Sequence, residues 1–388
     1  MARTLRSDKM LFLATLLLVG ASVVMVFSAS AVQATDKFSS PFYFMVKQLA
    51  WSILGVTCMF AVMRVDYHEL RRPALIWTAL MVTFVLLCAV FLFNPINGTR
   101  RWLSLGGGSL QPSELAKLAV ILFTAALLER RMHRINDWSY ALMPIVVVTL
   151  ALALPIVIEP DFGTTAILCV VVAAMLFTAG LSYRYLLGVC LIALPAACAL
   201  IVFEPYRLRR ITAFLDPWAD PLDSGFQTIQ ALLAVGSGGV FGRGLMGGIQ
   251  KLYYIPEAHT DFIFAVIGEE IGLIGTTLIV ICFGLILWRG MRASILAPDR
   301  LGALLAVGIT TMMVAQALMN MSVVVALLPN KGIPLPFVSN GGSSLVINLV
   351  AMGILLNISQ QTSVVARTDR SAAVVDDDGR LSGAEARA

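Results

Sequence analysis

Charge is scarce in this sequence. Asp, Glu, Lys and Arg make up only 13% of its 388 residues. The stock of metal-ligating side chains is also thin, with three His and six Cys. No two cysteines form a C-x-x-C pair and no His/Cys cluster suggests zinc. Ten-residue segments alternating between apolar and polar residues, the mark of a membrane β-barrel, are missing. So is any long polar stretch before residue 363 that could fold as a separate soluble domain. What is present is apolar: 59% of residues are hydrophobic and the mean hydropathy is +0.86. A soluble fold cannot hide that much apolar surface.

Runs of roughly 18 or more apolar residues mark membrane-spanning helices. About ten such spans are expected, at about 10–32, 45–63, 74–93, 113–129, 140–158, 163–180, 185–203, 262–288, 301–327 and 343–358. Backbone groups in lipid must pair within their own segment, so these runs are helices. The fold expected is an all-α polytopic membrane domain over 10–360. A long loop joins spans 7 and 8, at about 204–261. A basic segment, 1–9, precedes the domain, and a polar, disordered tail, 361–388, follows it. The first run imitates a secretory signal but is long enough to be kept as a span. Cys58, Cys88, Cys169, Cys190, Cys198 and Cys282 all fall in apolar runs and are read as packing residues.

Arginine sets the expected orientation. Arg64, Arg71, Arg72, Arg130, Arg131, Arg134, Arg184, Arg289, Arg292 and Arg300 fall in alternate loops, together with both termini. That side is expected to be the cytoplasm. The net charge of +5 mostly restates this bias, so nucleic acid is not implied. Asn97-Gly98-Thr99 matches a glycosylation acceptor pattern, a short match that is usually accidental.

The opposite loops break the charge rule. They carry Arg100 and Arg101 beside Trp102, then Arg207, Arg209 and Arg210, and later Arg243, Lys251 and Lys331. Outward arginines suit an anionic ligand, because a guanidinium matches phosphate oxygens in pairs. Pairing with Asp216, Asp220 or Asp223, or with lipid headgroups, explains any one of them equally well. Carboxylates collect at helix mouths on the same side: Glu114 after Pro112, Asp161 in "IEPDFGTT" and Asp261 in "PEAHTDFIFAVIGEE". Acids favour helix N-termini for purely structural reasons. Asp261 is harder to explain that way. On one continuous helix it shares a face with Gly268, Gly272 and Gly275, within about 40° at 100° per residue. Small residues mark close helix packing, so this acid is expected to face the bundle. Glu269 is expected about 12 Å deeper at ~1.5 Å per residue, where an acid is costly and needs a partner such as Lys117.

Taken together, "GTRRWLSLG", "QPSELAKL", "EPDFGTT", "RRITAFLDPWADP", "GFQTIQALLAVGSGGVFGRGLMGG", "PEAHTDFIFAVIGEE" and "IPLPFVSNGGSS" resemble the SEDS family (shape, elongation, division and sporulation). The motifs occur in order over nearly the whole chain. "QKLYYIPEAHTDF" and "LPNKG" resemble the family's division branch more than its elongation branch. Asn340 departs from the Tyr that the family commonly carries there.

The resemblance implies a peptidoglycan glycosyltransferase that polymerises lipid II into β-1,4 glycan strands during septal wall synthesis. It makes Asp261 the catalytic carboxylate, as a base or as a ligand of a divalent cation (Mg or Mn), with no organic cofactor. Arg101, Lys117 and Arg210 are candidates for the pyrophosphate. Trp102 could pack on sugar or lipid, or anchor at the interface. Glu114 could orient Lys117. Glu257, His259 and Glu269 complete the candidate substrate site. The implied partners are lipid II, a class B penicillin-binding protein of division (FtsI) and other divisome proteins. The implied place is the division septum of a bacterial plasma membrane. Two rival readings stand beside it: a lipid II flippase, since buried charge in a helical bundle also marks transporters, and a scaffold recruiting a transpeptidase.

Overall fold

The computed structural model describes residues 8–93, 100–104, 109–203, 205–256 and 258–361. Among the described residues, ten helices of 16 or more residues pack into a bundle. They are α1 (Lys9–Phe38), α2 (Tyr43–Met63), α3 (Pro73–Val90), α4 (Pro112–Arg131), α5 (Met143–Ile158), α6 (Phe162–Thr178), α7 (Tyr183–Val202), α11 (Gly272–Ile295), α12 (Arg300–Val324) and α13 (Gly342–Gln361). Among the described residues, seven helices are long and apolar enough to cross a bilayer; the fourth of them includes the π-helical turn Trp138–Leu142 ahead of α5. Helices α4, α6 and α7 stand at the other three expected positions. Helix α4 carries the most charge of the three and is buried along nearly all its length. The expected N-terminal segment and tail, and the Asn97-Gly98-Thr99 pattern, lie mostly or wholly outside the described residues.

Contacts gather the arginine-bearing loops at one end. Arg289 at the end of α11 donates to Asp8 at 2.5 Å, and Asp8 caps α1 through Met10 N and Leu11 N. The N–H of Asp8 donates to Ser359 on α13, and Arg71 pairs with Glu129 on α4. Asn136 accepts from Ser182 N, joining the α4–α5 and α6–α7 loops. At the far end, Ser28 of α1 donates to Glu270 at 2.6 and 2.7 Å. Asp8 and Ser28 are about 30 Å apart along α1 at ~1.5 Å per residue, about one hydrocarbon thickness. Across a slab as thick as a bilayer core, α1 is thus tied at one face to Arg289 of α11 and at the other to Glu270, two residues before α11 begins.

Two expectations about the long loop are corrected. The stretch 204–261 is not a loop throughout: it contains α8 (Pro205–Leu215) and α9 (Phe226–Gly238). The expected span 262–288 is two helices, α10 (Ile263–Glu270) and α11, broken at Ile271 and Gly272. Gly272 has φ of 75°, and a Cβ there would lie 2.4 Å from Gly242 N and 2.6 Å from Val240 O. Both the backbone angle and the close approach require glycine. The chain breaks there because the turn after α9 fills the gap: Arg243 N and Gly244 N donate to Glu269 O and Glu270 O.

Candidate active site

Asp261 lies in the turn before α10, not on the helix, because the helix starts at Ile263. Its shared face with Gly272 and Gly275 is therefore lost past the break, while Gly268 packs against Val235 of α9. A second segment, the α12–α13 loop, holds Asp261 instead. Asn320 of α12 donates to Asp261 O at 2.8 Å and to Ile333 O at 2.7 Å. Ser339 Oγ donates to Thr260 O at 2.6 Å, and Asn340 N donates to His259 O at 3.0 Å. Asn340 makes that tie with its main chain, so the departure from Tyr leaves it intact. A Cβ at Gly332 would lie 2.7 Å from Asp261 Oδ2. The half-buried carboxylate of Asp261 thus rests against a residue without a side chain.

The same loop collects cations. Arg210 of α8 donates to Asn330 O at 3.1 Å, and Asn330 donates to Gln227 of α9 at 2.5 Å. Ile333 fills the space beside Gly163 at the start of α6. Lys331 stands between these contacts, half-buried. Burial holds its pKa below the usual lysine value; the negative charge of Asp161 opposes that and the positive charge of Arg210 adds to it. Sequence reasoning counted Lys331 among the outward cations without placing it in the site. Its neighbour Gly332 and its motif "LPNKG" were the available signals.

A second cluster adjoins it. Arg101 donates to Glu159 O at 3.0 Å and to Pro160 O at 2.8 Å. Asp161 caps α6, accepting from Thr164 N at 3.2 Å, Thr164 Oγ1 at 2.8 Å and Gln111 Nε2 at 3.3 Å. The capping role expected of an acid in this position therefore holds. Glu159 is buried, and burial with the neighbouring charge of Asp161 pushes its pKa up to about 8, against the pull of Arg101. Trp102 is half-buried and leads into a two-residue hairpin, β1 (Leu103–Ser104) with β2 (Ser109–Leu110), which ends at the Gln111 cap.

Other expected site residues turn inward. Lys117 is 2% exposed and pairs with Glu114, 1% exposed, at 2.9 Å. Gln316 accepts from the same ammonium, and Ser344 Oγ donates to the other oxygen of Glu114 at 2.9 Å. The expected pairing of Lys117 with Glu269 is thus corrected. Glu269 accepts from Ile249 N at 2.8 Å and Gln250 N at 3.2 Å, with Arg243 at 3.7 Å. It stands in the last turn of α10, ahead of the break and outside the bilayer-length run of α11, and accepts from the turn after α9. Beside it Glu270 takes Lys251 at 2.5 Å and Ser28. His259 is 5% exposed with its ring 4.7 Å from Phe44, so it fixes the segment before Asp261. Arg209 pairs with Asp223 at 2.8 Å, as the pairing reading allowed. Glu257 lies outside the described residues.

A model of the cell-cycle protein family FtsW/RodA/SpoVE matches residues 8–364. A protein of Geobacter sp. (strain M18) named probable peptidoglycan glycosyltransferase FtsW is 44% identical over 355 residues, 91% of this chain and 96% of its own. Stage V sporulation protein E of Bacillus subtilis (strain 168) is 42% identical over 358 residues, 91% of this chain and 97% of its own. A solved chain from work on a peptidoglycan synthase complex that coordinates polymerization and crosslinking superposes with a TM-score of 0.75 at 31% identity. That match covers 92% of this chain and 98% of the other. The rod shape determining protein RodA of Thermus thermophilus gives a TM-score of 0.67 at 27% identity, covering 92% of this chain and 97% of its own. With a family model matched along nearly its whole length and relatives this similar, the chain belongs to the FtsW/RodA/SpoVE family of cell-cycle proteins, the SEDS family.

Proposed function

We propose that this protein is the peptidoglycan glycosyltransferase of cell division, polymerising lipid II into β-1,4 glycan strands at the septum. The observation that carries the reading is the placement of Asp261 against Gly332, in a loop that also carries Lys331 and receives Arg210. A half-buried carboxylate held against a loop that carries a lysine and receives an arginine fits a reaction that removes a proton at one atom and releases a diphosphate at another. The family membership and the names of the relatives support the same activity.

In this mechanism Asp261 takes the proton from an acceptor sugar hydroxyl. The freed oxygen bonds to the anomeric carbon of the donor. The bond from that carbon to the diphosphate breaks, and its electron pair leaves with the diphosphate. A positioned base of this kind contributes about 10²–10⁴-fold. Arg101 and Arg210 face the charge that grows on the leaving group. Among the described residues, no group of three or more His, Cys, Asp or Glu could hold a metal ion. A divalent cation fits this donor set as one held jointly by Asp261 and substrate phosphates, the usual manner for Mg²⁺. When bound it supplies charge neutralisation; the proton step rests on the Asp261 side chain.

The proposed setting has ten crossings of the bacterial plasma membrane, both termini in the cytoplasm and the Asp261 end outside. The proposed partners are lipid II and the class B penicillin-binding protein FtsI, with other divisome proteins. The decisive experiment compares wild type with Asp261→Ala, each purified with its transpeptidase partner and given fluorescent lipid II while crosslinking is blocked. Polymer from wild type and none from the folded variant is expected. Equal polymer from both removes Asp261 from the chemistry. No polymer from either favours lipid II transport, to be measured by flipping in vesicles.

A further inference from the structure

Three cations of the sequence reading were assigned to a diphosphate, and one of them is unavailable. Lys117 is buried, with its ammonium held by Glu114 and Gln316. A diphosphate could reach it only by breaking a pair inside the bundle. The structure offers a different lysine. Lys331 lies next to Gly332, the residue against which Asp261 rests, and next to Asn330, whose carbonyl receives Arg210.

We propose that Lys331, with Arg210, binds the diphosphate of the lipid-linked donor, so that Lys331 supplies the cationic contact to the leaving group beside Asp261. The inference rests on the glycosyltransferase reading. Its geometric support is the convergence at residues 330–333. The loop is pinned at Asn330 by Arg210 and Gln227, and at Ile333 by Asn320 and the close packing on Gly163. Lys331 therefore emerges from a backbone fixed on both sides. Its half-buried ammonium already answers to the charges of Asp161 and Arg210. A partly desolvated ammonium forms a stronger contact with phosphate than one in bulk water, because the local dielectric is lower. The arrangement also separates the roles. Asp261 takes a proton, while the lysine of the neighbouring loop meets negative charge on the departing oxygen.

The test uses full-length protein in complex with its partner, comparing wild type, Lys331→Gln and Lys331→Arg. Binding is read first, with farnesyl diphosphate as probe and farnesyl monophosphate as control, so that no turnover is needed. Loss of one charge-assisted hydrogen bond predicts diphosphate binding weaker by about tenfold or more in Lys331→Gln, with binding kept in Lys331→Arg. Wild-type binding is expected to fade on the alkaline side below the usual lysine range, because burial lowers this pKa. Lys331→Arg removes that fall, since a guanidinium stays charged. In the polymerisation assay, Lys331→Gln is expected to lose kcat, while its thermal unfolding follows wild type. Equal diphosphate binding by wild type and Lys331→Gln overturns the inference, whatever the polymer assay gives. Wild type that binds diphosphate in a Lys331-dependent way but makes no polymer refutes the glycosyltransferase reading and leaves the anion site standing.

Discussion

Replacing Lys117 by Met leaves the Glu114 carboxylate buried at 1% exposure, with Ser344 Oγ its remaining described donor. Breaking a buried ion pair on one side costs about 3–5 kcal/mol, because the surviving charge keeps its desolvation penalty. Glu114→Gln alone strands the ammonium in the same way, with Gln316 still accepting. The double variant Glu114→Gln/Lys117→Met removes both charges together. What remains is one or two imperfect hydrogen bonds, about 1–2 kcal/mol. The cycle should therefore show a coupling of at least about 4 kcal/mol between the two sites. Unfolding of each detergent-solubilised variant by heat and by denaturant measures this, and polymer formation well below the transition shows whether the chemistry survives. The double variant is expected to recover most of the stability and to polymerise. The reasoning is refuted if Lys117→Met unfolds like wild type. It is refuted equally if the double variant loses as much as the two singles added together. Loss of turnover with full stability would move Lys117 back to the substrate.

Two further predictions follow from single positions. Gly332→Ala places a Cβ 2.7 Å from Asp261 Oδ2, a contact that the carboxylate can relieve only by swinging aside. Polymerisation should fall sharply while the melting temperature changes little; unchanged turnover would show that the carboxylate's position against Gly332 is not required. Glu159 has its folded pKa raised to about 8 from 4.5. The fold therefore favours the protonated acid, and this stabilisation is complete below the unfolded value and lost as pH rises through about 8. Glu159→Gln should match wild type in stability at pH ~4 and exceed it above pH ~8; a gap that does not grow with pH contradicts the buried-acid account.

Much of the site was legible in the residues. Acids after Pro112, Pro160 and Thr260 stood out against a charge-poor background, and all three helix mouths lie at the end of the bundle remote from Asp8. Arg101 and Arg210 were correctly read as belonging to that end, though each is anchored to main-chain carbonyls. The misreadings share one cause. Projecting Asp261, Glu269 and three glycines onto one helix assumed continuity through Gly272, where the backbone turns to φ of 75°. Nothing local to "IGEEIGLIG" announces that turn. It arises because Gly242 and Val240, about thirty residues earlier, occupy the space.

Lys117 and Lys331 show where the boundary lies. Composition and apolar run length alone determined a helical membrane protein and the positions of its long helices, because a chain in lipid must pair its backbone within each segment. Which loops share an end followed from the alternation of runs. The fate of each charge did not. Lys117 meets its acid within α4, but Gln316 and Ser344 come from α12 and α13. Lys331 feels the charges of Asp161 and Arg210, which come from two other elements. Coulomb and hydrogen-bond energies fall off over a few ångströms, while sequence separation carries no distance. Only the packed bundle could decide which lysine is locked inside against Glu114 and which stands half-buried in the α12–α13 loop within the field of Asp161 and Arg210.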